Sequence, residues 1–541
     1  MSHQVALKVN ESLLFKNMRH AFSADAVLGE LLQNARRAGA TMVTVTYDTE
    51  GNLKVEDDGC GIADMQNLLT AAESGWQAGT VATEHPFGLG FLSTLYVSPT
   101  VVVDTCHEGR GARIVVDTAA LLESGSVEVE PSQRTLGTCV TLMRYGVTSE
   151  EMFLVEDIIR GRFVSLARGF PLPVSLNGVD VPRPDASGMP LSGQEWHETE
   201  VGSVRLNLGG IPSRYRQFVQ GLPVCDGMKF LSETTTVVHL NDTFQAKLPD
   251  RRHLMDAMDS ARRIGRALGA LARVQLSRLL ETMGPSAFVL AYAEQCRHWD
   301  CRDLLDDVDV VPAEWFIDWE VEHPGCHYDD SFERLRDGES AVLTREEILS
   351  GGVYRLPDSD DMAARCWLAA GRKLTLLRDW DISGSHWLVQ ALQEVKDDDI
   401  NLTTAGRIGA LPFHPWSDNV SELEVVTQLQ LSHATTLESF DCHAVAMDGQ
   451  LIIASKGIPG YATRLVSDYI EDDSFDEDAE TRDEHQLELL FLRITAATPE
   501  QALEGILRRS GDLTRDGNFA DRTFLVAFDA AGALKAVSVA R

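Results

Sequence analysis

Three short stretches of this chain carry residue types whose spacing suits chemistry. The first is Glu30-Leu31-Leu32-Gln33-Asn34-Ala35-Arg36-Arg37-Ala38-Gly39-Ala40-Thr41. Glu30 and Asn34 stand four residues apart, so on a helix they project side by side, about one turn apart. A carboxylate there could orient and deprotonate a water. An amide oxygen beside it could ligate Mg²⁺ without adding a second negative charge against phosphates. The second stretch is Val55-Glu56-Asp57-Asp58-Gly59-Cys60-Gly61-Ile62. Asp57 offers a hydrogen-bond acceptor, and Gly59 and Gly61 let backbone approach a ligand closely. The third is Phe87-Gly88-Leu89-Gly90-Phe91-Leu92-Ser93, whose glycines precede a helical-looking run and could turn backbone N–H groups toward an anion. Taken singly, such a Glu/Asn pair is a solvated helix face, Asp-Asp-Gly a tight turn and Gly-x-Gly a loop.

The elements that must hold these groups can be read from hydrophobic periodicity. Val27, Leu28, Leu31, Leu32 and Ala35 are spaced for one buried face, which predicts a helix with Ser23 as its N-cap and Gly39 as its stop. Residues 41–47 alternate, Gly51-Asn52 makes a turn, and residues 53–55 continue as a second strand, so a hairpin delivers Asp57. Residues 101–103, 112–116 and 127–129 read as further strands, ending in Leu136-Gly137-Thr138-Cys139-Val140-Thr141-Leu142. The result is a helix layer on a mixed sheet. Residues 148–168 read as a helical connector and residues 170–178 as a strand with a turn.

Together and in this order, the three stretches resemble the GHKL ATPases, the superfamily of gyrase-type topoisomerases, large heat-shock chaperones, sensor histidine kinases and MutL proteins. Residues 30–41 and 55–62 look most like the MutL version, and residues 87–93 like the heat-shock chaperone version. The resemblance covers roughly residues 10–145. It implies ATP and Mg²⁺ as ligands, with Glu30 as the catalytic base and Asn34 as the metal ligand. Asp57 would accept from the adenine amine, and Gly59, Gly61 and Ile62 would lie beside the base. Gly88, Leu89, Gly90 and Phe91 would line the phosphates, and Thr138 would support the water network around adenine. Residues 63–86 look like the family's ATP lid, with Ser74 and Gly75 as nucleotide contacts. Where the family usually has Asp three residues after the Asn, this chain has Arg37, a reversal of charge near the nucleotide. Residues 1–22 would form an arm of the kind that exchanges between subunits, and a homodimer that closes on ATP is implied.

A second resemblance begins after residue 150. Phe218-Val219-Gln220-Gly221-Leu222-Pro223-Val224 and residues 237–252 look like the MutL transducer domain, where a loop Lys reaches the γ-phosphate. Lys247 is the candidate for that role, with Arg251 second.

Length and charge bound the rest. At 541 residues the chain is too long for one core, and three regions are expected: an ATP-binding domain at 1–150, a transducer-like α/β domain at 151–295 and an acidic region at 296–541. The fold class is α+β, with a GHKL (Bergerat) α/β sandwich first. No apolar run of about 18 residues occurs, and the start lacks signal-peptide features, so a cytoplasmic protein without a membrane anchor is expected. Nine scattered Cys suggest reduced thiols. His433, Cys442 and His443 lack the spacing of a zinc site.

The net charge is −34, and residues 301–541 hold 47 acidic side chains against 21 basic ones. That balance opposes non-specific binding to nucleic acid and favours a protein partner for the C-terminal region. Residues 471–480 carry seven acidic side chains and read as a solvated linker, with a subdomain split near 471–484. A slow ATPase acting as a conformational switch on protein partners, chaperone-like or as a scaffold, is the leading expectation. A DNA-acting ATPase of MutL or topoisomerase type is the alternative, and a sensor kinase lacks its membrane segment and dimerisation hairpin.

Overall fold

The computed structural model describes residues 24–70, 75–76, 88, 90–145, 155–189, 194–224, 235–247, 253–319, 333–335, 341–358, 361–377, 382–407, 409–413, 421–447, 450–454, 469–471, 474–509 and 517–540. The expected N-terminal arm, the Ser23 cap, Ser74, Leu89 and Arg251 lie outside them. The chain divides into two compact units. The first runs to Leu279 and includes His298–Cys301; the second comprises Leu280–Arg297 and the chain from Arg302 onward.

The first unit is built on an eight-stranded mixed sheet. Its strands are β1 (Val43–Tyr47), β2 (Leu53–Asp57), β3 (Thr100–His107), β4 (Arg110–Asp117), β5 (Val129–Pro131), β6 (Thr138–Met143), β7 (Val174–Leu176) and β8 (Val179–Asp180), in the order β5-β4-β3-β6-β2-β1-β7-β8. Alternation puts Val43 and Val45, Leu53 and Val55, Val101 and Val103, and Val140 and Leu142 into one core. Against it lie helix α1 (Ala24–Arg37), through Val27, Leu28, Leu31, Leu32 and Ala35, and a second helix (Val155–Ala167), through Ile159, Phe163 and Ala167. Arg36 and Arg37 occupy the last turn of α1, where positive charge complements the helix dipole, and Gly39 follows with φ +68°.

This sheet outruns the boundary expected at residue 150. β7 pairs in parallel with β1, Val43 opposite Val174, and Phe170, Val181 and Leu222 join the same core. A parallel partner must return by a crossover, and here the chain from β1 to β7 passes through β2 to β6 and the helix Val155–Ala167, so sequence distance conceals the pairing.

A second sheet follows, with β9 (Trp196–Thr199), β10 (Gly202–Arg205), β11 (Tyr215–Val219), β12 (Leu222–Pro223) and β13 (Thr236–Leu240) in the order β12-β11-β13-β10-β9. β11 runs parallel to β13. A buried ionic hub ties this sheet to the chain leaving β8. Asp185 accepts from Arg205 on β10 at 2.7 Å, from Arg216 on β11 at 3.3 Å and from Arg168 at 2.6 Å, and its backbone oxygen lies 2.6 Å from His239 Nε2 on β13. Charges this deep are tolerated only when paired and hydrogen-bonded.

The second unit contains a mixed five-stranded sheet and an antiparallel sheet whose longest strands are Ser421–His433 and Thr436–Met447. Trp367, Ile400 and Leu431 share one of its cores, and the His433 ring packs on Trp367 with centroids 4.7 Å apart. Among the described residues no cluster of metal-ligating side chains occurs. No helix among them is long and apolar enough to cross a membrane.

The acidic stretch at 471–480 is not a linker. Ile470–Glu471 pairs with Ser474–Phe475, and a helix covers Glu477–Thr495, straight through the expected split. Asp476 caps that helix by accepting from Ala479 N–H at 2.9 Å, and Glu477, Asp478 and Glu480 lie in its first turn. Carboxylates are stabilising at a helix N-terminus, which explains the charge run without disorder.

In the second unit His386 is fully buried between Trp315 and Trp387, its Nδ1 accepting from Leu388 N–H at 3.0 Å. Burial holds its pKa down at about 4, against a partial opposing pull from Asp306. The neutral form is thus favoured by folding. Its contribution to stability is complete above about pH 6.5, the ordinary histidine value, and is lost as pH falls from there toward 4. His386→Asn keeps an acceptor near Leu388 and removes the titration, so calorimetry across pH 7 to 4 should show a shallower acid loss in the variant; parallel profiles would refute this.

Candidate active site

Helix α1 buries its apolar face and leaves a polar row beside it. Glu30 is nearly buried, at 8 % exposed, and Asn34 is half-buried one turn on. The Arg37 guanidinium is 4.0 Å from the Glu30 carboxylate, so the reversed charge seen in the sequence lies against the candidate base itself. The glycine-rich third stretch comes to the same carboxylate: a Cβ on Gly90 would stand 2.6 Å from Glu30 Oε2. Only a residue without a side chain lets that backbone pass so close.

The run after Gly90 is shorter than the sequence suggests. Leu92–Tyr96 is a five-residue 3₁₀ helix rather than an α-helix, so the expected α-helical N-terminus is absent there. It is anchored by Ser93 Oγ donating to the Gly90 carbonyl at 2.5 Å and Thr94 Oγ1 to that of Phe91 at 2.6 Å. Phe91, Leu92 and Leu95 sink into the core, which leaves backbone as the surface that Gly88, Gly90 and Phe91 can present. Gly88 takes φ +68°.

The two adjacent aspartates divide their roles. Asp58 is structural: it accepts from the backbone N–H of Thr41 at 2.7 Å and from the Thr41 hydroxyl, which holds its pKa below the usual range. Asp57 ends β2 opposite Thr138 on β6, and its Oδ1 accepts from Gly59 N–H at 2.8 Å. Burial pushes the Asp57 pKa up, against the opposing pull of Gly59, Thr138 and the Arg134 charge.

Two further residues complete this end of the site, and neither carries a sequence signal. Thr105, fully buried on β3, accepts from Ile62 N–H at 3.0 Å and donates to the Gly137 carbonyl at 3.3 Å. Its hydroxyl lies 3.0 Å from that of Thr138, within hydrogen-bond distance. Arg134 donates to the Gly137 carbonyl at 3.2 Å and to the Asp57 carbonyl at 3.4 Å while pairing with Glu56 at 3.0 Å. Only strand pairing, β3 against β6, brings Thr105 to Thr138 across 33 residues, so periodicity alone identifies it as nothing more than a strand threonine.

The remaining residues are less closely joined. A Cβ on Gly75 would meet Asn67 Nδ2 at 2.6 Å, which places Gly75 on the short helix Gln66–Leu69. Lys247 is exposed beyond β13, its N–H donating to the His253 carbonyl at 2.6 Å.

An acceptor, tight glycine loops and a carboxylate–amide pair thus occur together in the first 140 residues. Residues 22–140 match the family model of histidine kinase-, DNA gyrase B- and HSP90-like ATPases. The chain carries a GHKL-type ATPase domain. No curated protein matches the chain at a significant level.

Replacing Asp57 by Asn converts part of a buried acceptor into a donor, at a cost of about 1–3 kcal/mol or more. Isothermal titration should show ATP binding lost in Asp57→Asn; undiminished affinity would remove Asp57 from the site. Thr105→Val strands the Ile62 N–H without its acceptor and should weaken ATP binding by about 1–3 kcal/mol, roughly 5- to 150-fold, with Thr105→Ser restoring most of it. Equal affinity in the Val variant would make the Thr105 hydroxyl a packing group only.

Proposed function

We propose that this chain is a slow, Mg²⁺-dependent ATPase that works as a conformational switch on protein partners. The observations that support the reading are the close approach of the Gly90 backbone to Glu30 on α1, with Asn34 one turn on, and the cluster of Asp57, Thr105 and Thr138 at the ends of β2, β3 and β6 in the same domain. Asp57 accepts from the adenine amine, and the glycine-rich backbone about Gly61 and Gly137 fixes the plane of the base. Backbone groups of Gly88, Gly90 and Phe91 face the phosphates. Glu30 orients the attacking water and takes its proton.

Asn34 suits Mg²⁺. A single neutral oxygen is enough for an ion that keeps several waters and takes the rest of its shell from phosphates. Bound there, the ion would neutralise phosphate charge. Arg37 competes with water for Glu30, which favours slow turnover.

The charge distribution favours protein clients over nucleic acid, since the C-terminal half would repel a phosphate backbone. A second reading, a DNA-acting ATPase, draws on the long helix Ala257–Met283, where Arg262 and Arg266 are exposed one turn apart. Retention on DNA that falls steeply with salt would favour the second reading, and ATP-dependent co-purification of protein the first. On either reading the protein acts as a homodimer that closes on ATP.

Glu30→Ala should keep ATP binding and lower hydrolysis by roughly 10²- to 10⁴-fold, the usual worth of a general base; turnover like that of the wild type would take Glu30 out of the role. Lys247 is proposed to reach the γ-phosphate only in the closed state, as a charge-assisted contact. Lys247→Ala should therefore bind ADP normally while losing hydrolysis and the compaction that an ATP analogue produces in small-angle scattering. A purely solvating lysine would leave all three quantities unchanged.

A further inference from the structure

The helix that carries Glu30 and Asn34 is held by the second sheet through a buried polar contact. Gln33 is fully buried, and both ends of its amide are engaged. Its Nε2 donates to the Gln220 carbonyl at 2.9 Å, and its Oε1 accepts from Arg36 Nε at 3.0 Å. A buried amide is costly unless satisfied, so the position of α1 is bound to the position of residue 220. Gln33 is three residues from Glu30, a neighbour on the helix surface, and adjoins Asn34 along the backbone.

The turn on the other side is strained. Gln220 and Gly221 take φ +54° and +80°, the pair of left-handed conformations that Asn-Gly suits and that a Gln adopts at a cost. The Gln220 Oε1 is buried without a hydrogen-bond partner among the described residues. Strain and an unsatisfied acceptor in one turn point to a role beyond holding two strands together.

β11, which leads into the turn, is fixed along its length. Arg216 binds Asp185 in the ionic hub, and Phe218 stacks on His239 with centroids 5.0 Å apart. Beyond the turn, Leu222 sits in the core with Leu28 and Leu32, and a Cβ on Gly29 would lie 3.3 Å from Leu222 Cδ1. A stiff strand therefore ends on the catalytic helix.

We propose that Gln33 is a positioning residue: its hydrogen bond to Gln220 at the tip of β11 sets the placement of α1, so that a displacement of the second sheet changes hydrolysis through Glu30 and Asn34. This rests on the assignment of Glu30 as the base, and it does not involve Lys247.

Gln33→Glu keeps the volume and the acceptor for Arg36, removes the donor and sets a carboxylate against the Gln220 carbonyl. Gln33→Met removes both polar contacts and serves as the apolar comparison. In the nucleotide-free protein, amide exchange should rise together in α1 and at residues 220–222 for Gln33→Glu. The same variant should lose about 10- to 100-fold in kcat, the scale on which small misplacements act, while its affinity for ADP stays within about 2-fold. Unchanged exchange in α1 overturns the proposal, and so does a loss of ADP affinity equal to the loss in kcat, which would mean general damage to the site. The exchange result does not depend on hydrolysis. A failure of the base assignment would show separately, as undiminished turnover in Glu30→Ala.

Discussion

A methyl group on Gly61 would stand 2.0 Å from the Cys106 carbonyl oxygen, and one on Gly137 would stand 1.9 Å from that of Asp57. Both glycines have positive φ, at +74° and +64°. Neither position tolerates a side chain, so the loop after β2 closes on β3, and the loop before β6 on the end of β2, with backbone against backbone. That closure brings Asp57, Thr105 and Thr138 together, and it buries Asp57 deeply enough to raise its pKa. A side chain forced in at either glycine would part the strands. Were adenine to bind at this end, as proposed, little ordering cost would remain, because backbone contacts already hold it.

The phosphate end follows a different logic, with charge placed by a helix terminus. Arg36 and Arg37 close α1, where positive charge is favourable. Arg37 reaches Glu30, while Arg36 is held by Gln33. One structural requirement, complementing the helix dipole, thus supplies the cation that lies against the candidate base. An acid in place of Arg37 would have set like charge against Glu30.

Local pattern made α1, the β1–β2 hairpin and the three glycine-bearing stretches legible, because 3.6- and 2-residue periods and turn residues act over a few positions. What escaped depends on pairing across distance. Thr105 and Arg134 act through a register that no window of sequence contains, and the Asp185 hub joins residues from four separate segments. β7 reads clearly as a strand, but its place beside β1 does not. The acidic run at 471–480 was misleading for another reason: composition cannot tell a solvated tract from a capped helix start, since both favour carboxylates.

The pairing of β7 with β1 also limits how the first unit can move. If the nucleotide domain ended near residue 150, the second sheet could swing on a linker. Instead Phe170, Val181 and Leu222 lie in the same core as Leu28 and Leu32, and the first sheet continues through Asp180 before reaching Asp185. A close-packed core shared by both sheets deforms by small discrete shifts rather than by free rotation. Communication between the second sheet and the catalytic helix then has to travel through packing and the buried polar contact at Gln33. Displacements of well under a helical turn are enough, because the chemistry they would control depends on ångström-scale placement of Glu30 against a water.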